Sequence, residues 1–192
     1  MASSRLLTLS DFALPCSLAG RELLLIAGAS LLTAAAAQVA MPLPWTPVPI
    51  TGQTFAVLLT GAVLGGRRAF LAQGLYLLEG ACGMPVFAGG AAGAHVFLAP
   101  TAGYLVSFPF AAALVGWLAE RRWDRSFPGM FLAMLLGSGV IFSFGLAWLS
   151  RFVTAPALLA SGLLPFLPGD VIKATLSALA FPAAWRWVGR SE

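Results

Sequence analysis

Residues 23–66 carry no ionisable side chain: 44 consecutive positions without Asp, Glu, Lys, Arg or His. A soluble fold needs polar side chains wherever it meets water, whereas a membrane-spanning segment needs such a run. At roughly 20 residues per crossing, the run is long enough for two membrane helices. The stretch over residues 41–49 (MPLPWTPVP) breaks it in the middle, because clustered prolines remove helical hydrogen bonds and clash with the preceding turn. Residues 80–119 add 40 positions without a formal charge, and 126–150 and 152–169 are likewise uncharged. Charged residues are only 9% of the 192 and apolar ones 59%, where about 25% charged is usual in soluble domains. These features exclude a cytosolic enzyme, a disordered tail and a disulfide scaffold.

Cutting at charges and at Pro/Gly clusters leaves six apolar segments, residues 23–40, 50–66, 69–82, 100–119, 129–149 and 165–185. The expected fold is an all-α membrane protein. A single six-transmembrane-helix bundle fills residues 23–188, after a cytoplasmic or interfacial segment over residues 1–22. The second and third segments are short for a bilayer and read as tilted or sheltered helices packed by Gly and Ala. With both termini cytoplasmic, the inner side receives Arg5, Arg21, Arg67, Arg68, Arg121, Arg122, Arg125, Arg186 and Arg190, and the outer side only Arg151. That asymmetry follows the positive-inside rule, so the net charge of +4 reports topology in a lipid bilayer and no nucleic-acid partner is expected. The outer connections, residues 41–51, 84–99 and 151–164, are apolar and rich in Pro or Gly. Such loops suit the roof of a chamber that opens outward.

Lys173, the only lysine, stands three residues after Asp170 near the start of the last membrane segment. At that spacing the two side chains share a helix face. Ionisable groups within a span face a cavity or each other, so the pair is either self-neutralising or a ligand site, and its place near the outer surface favours the ligand site. Gln53 and Tyr104 suit ligand contact as well as helix-packing hydrogen bonds. Trp45 and Phe87 offer rings to a flat ligand, although Trp45 also fits an interfacial belt. Gly89 and Gly90 permit close backbone approach, or serve only as a flexible connection. Glu79 reads as an acid snorkelling near the outer end of the third helix, and His95 as a loop residue. Cys16, Cys82 and the single His95 provide no metal-ligand spacing, so no metal and no cofactor is expected. The chain has no phosphate-loop, H-E-x-x-H or G-x-S-x-G motif, so no catalytic residue is assigned. On the first helix Ala29, Thr33 and Ala37, with a second register at Ala36 and Ala40, form a small-residue stripe that lets another helix approach, inside the bundle or on a partner.

The segments PVPITGQTFAVLLTGAVLG, YLLEGACGMPVFAGG, APTAGYLVSFP and GLLPFLPGDVIKA, in that order, closely resemble the BioY family, the substrate-capturing (S) components of energy-coupling-factor (ECF) biotin transporters. The resemblance covers about residues 23–185. It implies a multi-pass protein of the cell membrane that binds biotin from outside. Its implied partners are an ECF coupling transmembrane protein and a pair of ATPase subunits. On the same resemblance Asp170 and Lys173 belong to the pocket, and Ala29, Thr33, Ala37 and Ala40 meet the coupling protein. Biotin's carboxylate, ureido ring and apolar body match a lysine, an acid, an amide and aromatic walls, with the pairing of its two ends left open. The residues by themselves leave two alternatives: a small intramembrane enzyme using Asp170 and Lys173 as acid and base, or a solitary vitamin facilitator.

Overall fold

The computed structural model describes residues 8–10 and 19–188; Arg5, Cys16, Arg190 and most of the expected N-terminal segment lie outside the described residues. The elements are α1 (Ala19–Gln38), β1 (Ala40–Met41), β2 (Ile50–Thr51), α2 (Gln53–Leu64), α3 (Gly66–Ala81), α4 (Ala102–Glu120), α5 (Phe127–Leu149), α6 (Ala155–Gly162) and α7 (Leu167–Val188). Six of the helices fall on the six apolar segments. Among the described residues the remaining helix of this set, α6, is an eight-residue helix inside the outer connection expected to roof the chamber; it is too short for periodicity to reveal. β1 and β2 pair antiparallel, Ala40 opposite Thr51, and so close the Pro-rich stretch into a turn.

Helices α1, α4 and α5 and the chain over Ala155–Trp187 are long and apolar enough to cross a membrane. With 12 and 16 residues, α2 and α3 extend only about 18 and 24 Å at 1.5 Å per residue, short of a hydrocarbon core of about 30 Å. They meet at Gly65, whose φ of 83° suits glycine, and Glu120 Oε1 accepts the Gly66 N–H there at 2.9 Å. With their shared junction fixed at that end, both helices stop short at the other. The segments over residues 39–52 and 83–101 fold in to fill that room. Small residues allow the close crossings: a Cβ on Gly61 would stand 2.5 Å from the Ala112 carbonyl, and one on Gly116 would overlap the Gly65 and Gly66 backbone. Exposed Leu24, Leu31, Phe110, Trp117, Leu136 and Ile172 face outward from these helices, as contact with lipid tails requires.

The two ends differ in charge. Arg67, Arg68, Arg121, Arg122 and Arg125 surround the α2–α3 and α4–α5 junctions, where Arg68 pairs with Glu22 at 2.6 Å. Asp124, in the α4–α5 connection, is buried and accepts the Trp185 indole N–H at 2.5 Å. Its burial lifts the carboxyl above the ordinary aspartate value, with the Trp185 hydrogen bond and the Arg125 charge acting in the opposite sense.

The small-residue stripe of α1 requires a correction. Ala29, Thr33 and Ala37 are buried within the bundle and offer no outer surface to a partner, while Ala40 is half-buried at the head of β1. Thr33 Oγ1 accepts from Gln73 Nε2 on α3 at 3.0 Å, so the small residues admit α3 of the same chain. The exposed face of α1 carries Leu24, Gly28, Leu31, Leu32 and Ala35 instead.

Candidate functional site: a chamber around Lys173

A cavity of about 500 Å³ lies at the end of the bundle away from the arginine-rich junctions, within the roughly 300–1,000 Å³ of small-molecule sites. The short α2 ends beneath it, the turns over residues 48–50 and 87–96 close two sides, and α4, α5 and the start of α7 supply the rest. Asp170 sits in the first turn of α7, where the helix dipole favours a carboxylate. Lys173 follows one turn later, so both side chains point into the cavity. The Lys173 ammonium lies 3.6 Å from Asp170 Oδ1. It donates to Thr54 Oγ1 at 2.9 Å and to the Thr51 carbonyl at 3.4 Å. Asp170 is buried and the lysine side chain keeps 24% exposure, which leaves the ammonium accessible from the chamber.

Around this charged corner the walls are apolar. Phe108, Ile141, Phe142 and Phe166 line one side, and Phe166 approaches the Tyr104 and Phe142 rings at 6.5 and 6.2 Å between centroids. Phe87 packs edge-on against Tyr76 at 5.5 Å and against Phe97 at 5.8 Å. Gly80 makes room for it, since a Cβ there would overlap the Phe87 ring.

Of the residues picked from sequence, Asp170, Lys173, Gln53, Tyr104 and Phe87 come together around the cavity. Their polar groups are not equally free. The Tyr104 hydroxyl donates to the Gly162 carbonyl at 2.8 Å, so its ring, rather than its oxygen, faces the chamber. The Gln53 amide donates to Tyr76 Oη at 2.5 Å and its carbonyl accepts from Thr51 Oγ1 at 3.2 Å. Tyr76 in turn donates to the Val86 carbonyl at 3.1 Å. Trp45 does not join the group; it is 66% exposed in the Pro-rich turn. Thr46 Oγ1 donates to the Ser161 carbonyl at 2.7 Å and anchors that turn so that Val48 and Pro49 face inward. Gly89 and Gly90 are exposed, with φ of 67° and 74°, and shape the turn that directs Phe87, Ala88 and Ala91 inward without lining the cavity themselves. His95 is exposed on its loop. Glu79 turns back toward α1, where Ser30 Oγ donates to it at 2.5 Å.

Sequence reasoning missed Thr51, Thr54 and Tyr76. Thr51 closes β2 and Thr54 lies in the first turn of α2, and nothing local indicates that the carbonyl of one and the hydroxyl of the other meet residue 173. Gly52 between them lets the turn approach α1, since a Cβ there would stand 2.9 Å from the Ala36 carbonyl.

Comparisons with known proteins bear on the fold and the family. The biotin transporter BioY of Rhizobium etli is 40% identical over 145 residues, 71% of this chain and 78% of that protein. A probable biotin transporter BioY of Pyrococcus horikoshii is 38% identical over 159 residues, 83% and 93% of the two chains. The crystal structure of the S-component for biotin from an ECF-type ABC transporter superimposes with a TM-score of 0.77 at 28% identity, covering 87% of this chain and 92% of that one. The BioY family profile matches residues 8–190, nearly the whole length, and the chain is a multi-pass membrane protein that belongs to the BioY family.

Proposed function

We propose that the chain is the substrate-binding component of a biotin uptake system. It takes the vitamin into the Lys173 chamber from the outer side and passes it on with an ECF coupling protein and ATPase subunits. The observation that carries this reading is the single lysine of the chain, set with Asp170 in a mostly apolar cavity. Biotin offers an anionic carboxylate or ureido carbonyl to the ammonium, ureido N–H groups to the carboxylate, and a fused-ring body to the phenylalanine walls. The names of the relatives support the same ligand. The arginines gathered at the opposite end support a chamber facing outward. Contact with a coupling protein falls to a face other than the buried Ala29, Thr33 and Ala37 stripe.

The reading is one of binding without chemistry. Purified protein is expected to bind biotin saturably, to bind desthiobiotin more weakly, and to ignore an unrelated vitamin, with the bound biotin recovered unaltered. Recovery of a modified product would favour an enzyme, and absence of biotin binding would end the proposal.

A further inference from the structure

Glu79 takes no part in the chamber, yet it is an acid on a membrane helix, and such groups are costly unless something compensates them. Its side chain reaches α1, where Ser30 Oγ donates to Glu79 Oε2 at 2.5 Å. Three residues on, Thr33 Oγ1 accepts from Gln73 Nε2 at 3.0 Å and donates to the Ala29 carbonyl at 3.0 Å. Ser30 and Thr33 stand one turn apart on α1, and α3 bonds both, through Glu79 and, six residues earlier, Gln73. Ser30, Thr33 and Gln73 are each 0% exposed.

The unmet groups there are acceptors. Both hydroxyl protons are spent, one on Glu79 and one on the Ala29 carbonyl. Gln73 Oε1 is buried with no hydrogen-bond partner. Among the described residues Glu79 makes no ion pair with Lys, Arg or His. A carboxylate, an amide carbonyl and two hydroxyl oxygens are the ligands that hard alkali cations take. One carboxylate balances one positive charge, so a divalent ion would carry uncompensated charge into the bilayer. Because α3 ends two residues after Glu79, at Ala81, an ion reaches this turn from the chamber end of the molecule.

We propose that Glu79, Gln73, Ser30 and Thr33 form a site for a small monovalent cation, Na⁺, between α1 and α3. It is separate from the Lys173 chamber and independent of the identity of the transported ligand. The test is the thermal unfolding of the full chain in detergent, with NaCl replaced by choline chloride at constant ionic strength. The wild type is expected to melt about 2–4 °C higher in Na⁺, with an effect that saturates. The difference should vanish in Glu79→Gln and shrink in Gln73→Leu. Biotin binding by Glu79→Gln, measured in parallel, should persist, so failure of the cation site and failure of the biotin reading are told apart. Equal melting in Na⁺ and choline, a shift that never saturates in the wild type, or a shift that survives in Glu79→Gln would overturn the proposal.

Discussion

Lys173 is held on three sides, by the Asp170 carboxylate, the Thr54 hydroxyl and the Thr51 carbonyl, and this fixes where its charge stands in the chamber. Thr54→Val removes the shortest of those contacts, at 2.9 Å, without changing the side-chain volume much. Hydrogen bonds to charged groups contribute about 1.5–3 kcal/mol, so biotin affinity is expected to fall about 10- to 100-fold, and Thr54→Ser should restore most of it; calorimetric titration of both variants checks this. That Lys173 and Asp170 stand together was legible in the sequence, because ionisable groups are rare in a span and these two are three residues apart. Thr54 was not, since threonine is unremarkable in an apolar helix and its partner lies 119 positions away. At the opposite end, burial raises the Asp124 carboxyl above its ordinary value. Such an acid keeps its proton longer in the folded than in the unfolded chain, so its ionisation costs stability as pH rises through the raised value. Asp124→Asn keeps an acceptor for Trp185 and abolishes that ionisation. Melting curves between about pH 4 and pH 8 should therefore show a smaller decline with rising pH in the variant than in the wild type.

At the scale of elements, four helices announce themselves through length and hydropathy, and α2 and α3 through the charges and prolines that bound them. Their brevity is what creates the chamber: the loops fill the space they leave. The crossing of α2, α3 and α4 rests on glycine, because a Cβ at Gly116 would collide with the Gly65 and Gly66 backbone, which cannot move aside as a side chain would. Overpacking of this kind typically costs about 1–3 kcal/mol or more, so Gly116→Val is expected to lower the melting temperature by several degrees or to abolish folded yield in size-exclusion chromatography. The α1 stripe shows the limit of pattern reading. A row of small residues signals close approach to some helix, and only the Thr33–Gln73 hydrogen bond, contributed from 40 positions away, reveals that the helix is α3 of the same chain. Trp45, Gly89 and Gly90 stand outside the cavity lining for a related reason. The facing of a loop residue is decided by anchors such as Thr46 on the Ser161 carbonyl, and sequence does not display those.

For the whole molecule, most of the described arginines lie at one end and the lysine-bearing chamber at the other, which by the positive-inside rule predicts a chamber facing outward. A single cysteine at Arg122, in a background free of Cys16 and Cys82, should react with a membrane-impermeant maleimide only from the cytoplasmic side. One at the exposed Ala157 should react only from outside; the reverse pattern would invert the orientation. The most direct measurement of the central claim is a biotin titration of the purified wild type beside Lys173→Met, a change that keeps the unbranched apolar stem of the side chain and deletes its charge. The expected result is tight, saturable binding by the wild type and a loss of at least about 100-fold in the variant, which takes away a charged, partly desolvated partner. Unchanged affinity in a folded Lys173→Met protein would contradict the assignment of this chamber as the biotin site.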